Sequence, residues 1–351
     1  MKILDWYIAR ALLSSSALCL LILTGLSGII KWVDQLRLVG KGSYTMVDAA
    51  VYVMYLIPRD IEMFFPMAVL LGALIGMGML ASNSELVVMQ ASGLSRLQIT
   101  LSAMKTAIPL MLLVMALGEW GAPVAQMKAS ELKATKISGG NLIKSHRGVW
   151  ARDGNLFVNI GQINTINHLS DVTLYEFDNQ RLLNVTHADS AVYTHDYWQL
   201  RDVRRTSIKN EQVVVHETLE DRWPSSLTPD KLSVVSVDPD SLPIKGLAGY
   251  MDYLKSNNQD ASRYELALWH KLMQPVTVAV MMLVALSFVF GPLRNVTMGA
   301  RVLLGVVAGF VFHISNEIFG PMSIVYNMPA VVGAIMPSLL FTGAAVYYIR
   351  R

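Results

Sequence analysis

Long runs of apolar residues alternate along this chain with short polar connections. A membrane-spanning helix needs about 20 mostly apolar residues, and six stretches meet this requirement. Three lie on either side of a polar insert at about Gln126–Glu265. The predicted spans are, in chain order, Ile8–Trp32, about Asp60–Leu80, about Ile99–Ala125, about Leu266–Phe290, Val302–Phe319 and about Pro329–Ile349. For the second span an earlier start is an open alternative, with Pro58 near its entrance.

The polar insert has the periodicity of β-structure. Gly148–Arg152 and Asn155–Ile160 flank the turn pair Asp153-Gly154, which is a strong hairpin signal. Further strand-like segments follow at Val172–Phe177, Arg181–Val185, Ala191–Thr194, Tyr197–Val203, Thr206–Lys209 and Gln212–Glu217. Short strands with polar turns at this spacing predict a sandwich or a jellyroll. The predicted fold class is therefore membrane α+β, with six transmembrane helices and a β-jellyroll-like domain inserted between helices three and four.

These patterns divide the chain into three segments. Residues 1–125 contain the first three spans and a short loop helix at about 84–93. Residues 126–265 form the β-domain with helical connectors, since the pattern turns helical again after Pro243. Residues 266–351 contain the last three spans. We interpret the first apolar run as a retained span because it lacks a clear signal-peptide cleavage site.

The loop between the second and third spans, Ala81–Arg96, predicts a short helix of unusual character. Ser84 is a suitable N-cap, Glu85 favours the first turn and Gly93 is a C-terminal stop. Between them lie Leu86, Val87, Val88 and Met89, which is more apolar surface than a helix in water should expose. Two interpretations remain open. The helix either lies in the headgroups or packs on its own domain, or it docks into a groove of a cytoplasmic partner.

Composition supports a membrane protein and excludes several other classes. The chain is 53% hydrophobic and 16% charged, whereas soluble proteins have roughly 25% charged residues. The net charge of +3 is too small to indicate a nucleic-acid partner. Cys19 is the one cysteine, so neither an intrachain disulfide nor a thiolate metal cluster is expected.

Basic residues in short loops predict the orientation, because they concentrate on the cytoplasmic side. With six spans, they fall on one side at Lys2, Arg10, Arg96, Arg294, Arg301, Arg350 and Arg351. Both termini and the Ala81–Arg96 loop are therefore predicted to be cytoplasmic, and the β-domain is predicted to lie outside.

One outside segment departs from this rule. Lys31, Arg37 and Lys41 follow the first span, and Arg59 precedes the second. These residues either form ion pairs within the loop and reach toward the headgroups, or they form a cationic rim that holds an anionic ligand. Arginine and lysine both suit phosphate, arginine through paired hydrogen bonds.

Catalytic signatures are missing from the sequence. It contains no phosphate-binding loop, no HExxH and no GxSxG, so we expect no catalytic residues, no metal and no cofactor. Ionisable residues within or near the spans are Glu119, His270, Lys271, His313 and Glu317. Most lie close enough to an interface to be hydrated, and Glu317 is the strongest candidate for a functional contact.

Small residues at helical spacing predict close contacts between spans. Gly72-xxx-Gly76 lies in the second span and Gly305-xxx-Gly309 in the fifth. Without a bulky side chain, two helix backbones can approach closely at such positions. The motif is common in membrane helices, so it predicts contact without identifying the partner helix.

Several long runs resemble the LptF/LptG family of lipopolysaccharide export permeases. They are SGIIKWVDQL at Ser27–Leu36, FFPMAVLLGALIGMGMLA at Phe64–Ala81, SELVVMQASG at Ser84–Gly93, AMKTAIPL at Ala103–Leu110, LTPDKL at Leu227–Leu232 and ALSFVFGPLR at Ala285–Arg294. The resemblance covers nearly the whole chain. GIIKWVDQL and VVMQASG match one branch of the family more closely than the paralogous LptF branch, which remains an alternative.

The resemblance implies a transport subunit rather than an enzyme. Family members belong to an ABC-type exporter that extracts lipopolysaccharide from the outer leaflet of the bacterial inner membrane and passes it to a periplasmic bridge. The implied partners are the permease LptF, a dimer of the ATPase LptB, LptC through a transmembrane helix and a β-domain, and indirectly LptA. A rival hypothesis is a membrane-anchored envelope scaffold or sensor that uses its β-domain and transports nothing.

Two candidate sites follow from the resemblance. The family's coupling helix, which contacts the ATPase, matches Ser84–Gly93 and implies roles for Ser84, Glu85, Leu86, Val87 and Met89. The family's lipopolysaccharide-binding cations match Lys31 and Arg37, with Lys41 and Arg59 nearby and a looser match at Lys133 and Lys136. Leu38 stands where family members can carry a second adjacent lysine. We also expect spans one, two and five to line a lipid cavity, with Phe64 and Phe65 near its outer end.

Overall fold

The computed structural model describes most of the chain. The described residues are 3–138, 143–165, 167–178, 181–194, 196–209, 212–229, 231–232, 239–290 and 297–350. Three of the cations used to predict the orientation, Lys2, Arg294 and Arg351, lie outside these ranges.

Helices account for most of the described residues. They are α1 (Ile3–Leu36), α2 (Met46–Ser82), α3 (Glu85–Ala91), α4 (Arg96–Ala116), a π-helical turn (Leu117–Gly121), α5 (Ala122–Ser138), a 3-10 turn (Pro239–Ser241), α6 (Ile244–Ser256), α7 (Ser262–Phe290), α8 (Met298–Val325) and α9 (Ala330–Arg350). Within the described residues, six are long and apolar enough to cross a membrane: α1, α2, α4 with its continuation, α7, α8 and α9. The six predicted spans are thus confirmed as helices.

The insert forms one antiparallel sheet. Its strands are β1 (Ile143–Asp153), β2 (Leu156–Thr165), β3 (His168–Asp178), β4 (Arg181–Thr194), β5 (Tyr197–Lys209) and β6 (Gln212–Trp223). Each strand pairs with the next in chain order, and the predicted hairpin at Asp153-Gly154 is present. The membrane α+β class is confirmed. A jellyroll is compatible with this pairing, and its further detail stays a prediction.

The chain divides into two compact units. The helical unit comprises Met1–Val33, Leu56–Ala125 and Ser262–Arg351, and the sheet unit comprises Asp34–Tyr55 and Gln126–Ala261. Residues 34–55 therefore cluster with the insert, although the sequence boundaries group them with the first three spans.

The second apolar helix begins well before the predicted start at Asp60. Thr45 and Asp48 cap it reciprocally: Thr45 Oγ1 accepts a hydrogen bond from the Asp48 N–H at 3.2 Å, and Asp48 Oδ2 accepts one from the Thr45 N–H at 2.9 Å. The helix then continues through Pro58. The residues from Met46 to Ile57 are mostly apolar, so the alternative of an earlier start is the correct one, and Pro58 lies inside the helix rather than at its entrance.

A buried polar node joins three helices of the helical unit. Gly118 lies in the π-helical turn, and a Cβ built there would approach the Glu62 carboxylate carbon at 2.4 Å. Lys271 Nζ lies 3.9 Å from Glu62 Oε1 and donates a hydrogen bond to the Gly118 carbonyl at 3.3 Å. The Lys271 side chain is only 9% exposed. Lys271 is therefore an exception to the expectation that most of these residues are satisfied by water, because protein groups pair with it.

Close packing of α1 on α2 confirms the prediction from the Gly72-xxx-Gly76 motif. Ser15 Oγ donates a hydrogen bond to the Gly72 carbonyl at 2.8 Å. A Cβ at Gly72 would lie 2.4 Å from the Ser16 Cα, and one at Gly76 would lie 2.6 Å from Ser15 Oγ. Two helix backbones therefore meet where only glycine leaves room.

The first helix, α1, contains no proline, unlike the other five apolar helices. It has 34 residues, which at 1.5 Å per residue is about 51 Å of helix. The other five contain prolines within their helices: Pro58 and Pro66 in α2, Pro109 in α4, Pro275 in α7, Pro321 in α8 and Pro337 in α9.

The sheet has one well-buried face and an open edge. Trp198 is fully buried, and its Nε1–H donates a hydrogen bond to the Leu227 carbonyl at 2.8 Å. At the β1–β2 hairpin, the Tyr253 hydroxyl of α6 donates to the Arg152 carbonyl at 2.5 Å. Among the described strands, β6 is an edge strand with exposed apolar side chains, including Val213 at 63%.

Strands β4 and β5 are longer than predicted. The sequence pattern indicated two short strands in each, but each is continuous. Asp202 in β5 has a positive φ of 54°, while the flanking pairs Arg201–Ser190 and Val203–Ala188 keep their register. The predicted break in β5 lay at Arg204 and Arg205, yet both residues pair with β4, opposite His187 and Thr186. Two adjacent charged residues therefore resemble a strand end in the sequence without interrupting the ladder.

Candidate functional site

In the sheet unit, the loop after α1 is held against the end of α5. The Ser43 N–H donates a hydrogen bond to the Lys136 carbonyl at 2.8 Å. A Cβ at Gly42 would lie 2.4 Å from that carbonyl oxygen, so only glycine permits this approach. The loop that carries Lys41 is thereby brought to the helix turns that carry Lys133 and Lys136, although about 90 residues of sequence separate them.

The cations of this region differ in how far they are neutralised. Arg37 Nη2 lies 3.8 Å from Asp34 Oδ1, and the Arg37 side chain is 82% exposed. The Lys133 ammonium lies over the Tyr52 ring at 5.3 Å from its centroid, and Lys136 Nζ lies 3.8 Å from Asp48 Oδ1. Exposed pairs of this kind are weak, so the cations remain available to an anionic ligand.

In the helical unit, Lys31 lies against a buried carboxylate. Lys31 Nζ forms an ion pair with Asp60 Oδ1, and the Ser27 hydroxyl donates to Asp60 Oδ2 at 3.1 Å. The Asp60 side chain is 3% exposed, whereas that of Lys31 is 34% exposed. Arg59, the next predicted cation, is half-buried on α2. Lys31 thus presents an ammonium that is partly exposed and has a counter-ion on its buried side.

The predicted cavity residues Phe64 and Phe65 lie at different depths. Phe64 is half-buried, whereas Phe65 is 4% exposed and packs in the helix core with Val114 and Val278. For Phe65 to line a lipid cavity, α2 would have to separate from α4 and α7. Its proposed role remains a prediction.

Apolar surface faces outward on α1 and α8. Only 17% of the most apolar stretch of each helix is buried within the chain, against 67% in α2. His313 and Glu317 also lie on exposed positions of α8. Of the six spans, these two therefore present the largest share of their apolar stretch to lipid or to another subunit.

The predicted loop helix is present as α3. Gly93 ends it as predicted: it has a φ of +97°, its N–H bonds to the Gln90 carbonyl at 3.0 Å, and the Leu94 N–H bonds to the Met89 carbonyl at 3.2 Å. The prediction for Ser84 is wrong, because it has a φ of 62° and makes no side-chain cap bond. Its left-handed backbone follows from the tight turn after α2.

The apolar residues of α3 divide between two faces. Leu86 and Met89 are 4% and 8% exposed and pack into the helix core, whereas Val87 and Val88 are 49% and 67% exposed. Residues three apart share a helix face, so Leu86 and Met89 face the helix core of this chain while Val87 faces outward, and the ATPase-contacting roles of Leu86, Val87 and Met89 stay predictions. The outward apolar surface consists of Val87 and Val88.

Glu85 has a partner that sequence reasoning missed. The Tyr7 hydroxyl of α1 donates a hydrogen bond to Glu85 Oε2 at 2.8 Å, and the Asn83 side-chain amide donates to Oε1 at 3.4 Å. Nearby, the Ser102 hydroxyl of α4 donates to the buried Asp5 carboxylate of α1. The beginning of α1 is thus hydrogen-bonded to both α3 and α4. No local pattern could indicate contacts across 78 and 97 residues.

The sheet unit also contains an open aromatic cavity of about 890 Å³. Trp150 stacks on Tyr175 with ring centroids 5.6 Å apart, and Phe157 meets Phe177 edge-on at 5.5 Å. Arg152 lies at its edge, 5.3 Å from the Phe157 ring centroid. The arrangement provides an apolar lining with a nearby positive charge.

Comparison with known proteins gives one consistent result. The family described as Lipopolysaccharide export system permease LptF/LptG matches residues 6–351. The chain is 48% identical over 353 residues to Lipopolysaccharide export system permease protein LptG of Escherichia coli (strain K12), covering 99% of this chain and 98% of that protein. It is also 48% identical over 341 residues to the LptG protein of Haemophilus influenzae, covering 96% of this chain and 95% of that protein.

Proposed function

This chain belongs to the LptF/LptG family of lipopolysaccharide export system permeases, and we propose that it is the LptG-type subunit of an ABC-type exporter in the bacterial inner membrane. In this role it takes lipopolysaccharide from the outer leaflet and passes it to a periplasmic protein bridge. The observation that carries the proposal is the family match over residues 6–351. The LptG name of relatives at 48% identity favours this branch over LptF.

The proposed substrate combines phosphate groups with several acyl chains, so its binding needs both cations and apolar surface. The outward apolar faces of α1 and α8 suit the acyl chains. Lys31 in the helical unit, and Arg37, Lys41, Lys133 and Lys136 in the sheet unit, suit the phosphates and acidic sugars. Each unit therefore supplies its own cations to the proposed lipid path.

The costly step is the exposure of acyl chains to water on leaving the membrane. Each CH₂ group that enters water costs about 0.8 kcal/mol, so even a brief exposure of one chain is unfavourable. The aromatic cavity of the sheet unit, lined by Trp150, Phe157, Tyr175 and Phe177, offers apolar cover. We assign the sheet unit to the periplasm and both termini to the cytoplasm.

The energy is proposed to come from ATP hydrolysis by a dimer of LptB, which contacts α3 from the cytoplasm. LptF is the proposed second permease subunit. LptC contributes a transmembrane helix and a β-domain, and LptA extends the bridge. The outward side chains of α3, Val87 and Val88, together with Glu85, provide the contact surface. This surface supports docking into a partner groove.

Charge reversal tests the lipid-binding part of the proposal. The variant Lys31→Glu with Arg37→Glu should lose most photo-crosslinking to lipopolysaccharide in membranes that carry the whole complex, because like charges repel phosphate. Arg181→Glu, at an exposed position of the β3–β4 hairpin, is the matched control and should crosslink normally. Unchanged crosslinking and export in the double variant would refute the role of these cations.

Substitution on α3 tests the docking part. Val88→Asp should greatly reduce recovery of the ATPase with the purified permease, because a charge would enter an apolar contact. Val39→Asp, the same substitution in the loop after α1, should retain the ATPase. Undiminished recovery with Val88→Asp would leave α3 as a structural helix. A scaffold that transports nothing would show no nucleotide-dependent movement of lipopolysaccharide between reconstituted vesicles and an acceptor.

A further inference from the structure

Asp60 is a buried carboxylate directly behind the proposed phosphate ligand Lys31. It is 2% exposed, and both of its oxygens have partners: Lys31 Nζ at Oδ1 and the Ser27 hydroxyl at Oδ2. Ser27 and Lys31 are four residues apart on α1, so one face of that helix contacts both oxygens of the Asp60 carboxylate on α2.

The burial of Asp60 restricts what Lys31 can do when a phosphate arrives. Removing the cation from a buried carboxylate is strongly unfavourable, because the remaining charge is left without compensation in a low dielectric. A lysine ammonium has three donors, and one suffices for Asp60. A phosphate therefore approaches the exposed third of Lys31 while Asp60 keeps its contact on the other side.

This arrangement has two effects of opposite sign on phosphate binding. The carboxylate fixes the ammonium at one place on α1, which favours binding. It also neutralises part of the positive charge that the phosphate meets, which weakens binding. The neighbouring carboxylate on α2, Glu62, lies against Lys271 and Gly118 in the separate polar node, so it supplies a comparison with similar chemistry.

We propose that Asp60 is a positioning residue that holds Lys31 in place and limits its affinity for phosphate, so that the lipid is released after each cycle. The inference rests on the proposed function, and it adds a residue that does not touch the substrate. An exporter needs such a limit, because a cation that binds phosphate too tightly would retain the lipid instead of passing it on.

The experiment measures binding of diphosphorylated lipid A, and of its dephosphorylated analogue, to the whole complex in nanodiscs. Asp60→Asn removes the charge and nearly retains the shape, so phosphorylated lipid should bind about tenfold more tightly and ATP-driven release should slow. Added salt should reduce the gain. The dephosphorylated analogue should bind as it does to wild type, and Asp60→Glu should restore wild-type affinity and release.

Three comparison variants make the result specific. In a Lys31→Met background, Asp60→Asn should change affinity less than twofold, because the ammonium it acts on is absent. Glu62→Gln, which removes a carboxylate on the same helix, should leave lipid affinity unchanged. The exchange Lys31→Asp with Asp60→Lys keeps the pair but buries the cation, so it should assemble and lose about tenfold in affinity. The exchange keeps the test informative if Asp60→Asn fails to assemble.

Several results would overturn the inference. Weaker binding by Asp60→Asn, equal to that of Lys31→Met, would mean that Asp60 has only a structural role. Wild-type affinity in the exchange variant would mean that the exposed position of the cation does not matter. If wild type did not distinguish phosphorylated from dephosphorylated lipid A, the phosphate-binding role of Lys31 itself would fail, and this inference with it.

Discussion

Gly72→Ala should destabilise the packing of α1 on α2 although it adds a single methyl group. The new Cβ would lie 2.2 Å from Ser16 Oγ and 2.4 Å from the Ser16 Cα. The second atom is backbone, so a rotamer change cannot relieve the contact. Reaching an ordinary contact distance of about 3.4 Å requires the two helices to separate by about 1 Å at this point.

The expected cost follows from three terms. Overpacking of this kind costs about 1–3 kcal/mol. Separation also weakens the hydrogen bond from Ser15 to the Gly72 carbonyl, which is worth about 0.6 kcal/mol in membrane proteins. Replacing glycine by alanine also stabilises the helix itself by up to about 1 kcal/mol, which offsets part of this loss. The net loss is on the order of 2 kcal/mol, or about thirtyfold in the equilibrium constant for unfolding.

Gly25→Ala is the matched control. Gly25 lies in α1, and a Cβ there meets nothing within 4 Å, so this variant should be as stable as wild type or slightly more stable. Unfolding of both variants in mixed micelles, followed by tryptophan fluorescence, measures the difference. If Gly72→Ala matched Gly25→Ala in stability, the close approach of α1 and α2 would be refuted.

Three further predictions concern other parts of the chain. Tyr7→Phe removes the hydroxyl that bonds Glu85, so ATP hydrolysis should continue while lipopolysaccharide released per ATP falls several-fold; equal coupling would exclude a role for this bond. Trp198→Phe leaves the buried Leu227 carbonyl without its donor and should cost about 2–4 kcal/mol, measured by thermal unfolding of the sheet unit within the full chain. Burial, and then the nearby Asp153 carboxylate, raise the pKa of Tyr253. The folded state therefore favours the neutral phenol, and this contribution to folding stability is complete below about pH 10. It is lost as the pH rises toward the folded-state pKa. Tyr253→Phe should therefore weaken the alkaline loss of stability, as seen by circular dichroism.

Much of the fold was predictable because it depends on local patterns. Runs of about 20 apolar residues gave the six spans, Asp153-Gly154 gave the first hairpin and Gly93 gave the end of α3. The ends of elements were harder to predict. Pro58 suggested a helix entrance although α2 runs through it, and the charged pair Arg204-Arg205 suggested a strand end although β5 continues through it.

The polar contacts of the candidate site were not predictable from local patterns. Lys31 with Asp60, Tyr7 with Glu85 and Lys271 with Glu62 each join residues on different helices, separated by 29, 78 and more than 200 residues of sequence. Hydropathy identifies the helices but not which faces meet. The sequence therefore predicted the types of charged residue at the proposed site, and the structure supplies the partners that determine their availability.

The uninterrupted α1 helix has a mechanical consequence. A proline removes a backbone hydrogen bond and permits a bend, and α1 contains none. About 36 Å of continuous, proline-free helix therefore connect Tyr7 to Lys31, so the proposed contact at Glu85 and the proposed phosphate contact at Lys31 lie on one helix. One residue inserted between these two positions would turn everything beyond it by about 100°. Lys31 would then rotate away from Asp60, and Tyr7 and Lys31 could no longer both face their partners Glu85 and Asp60.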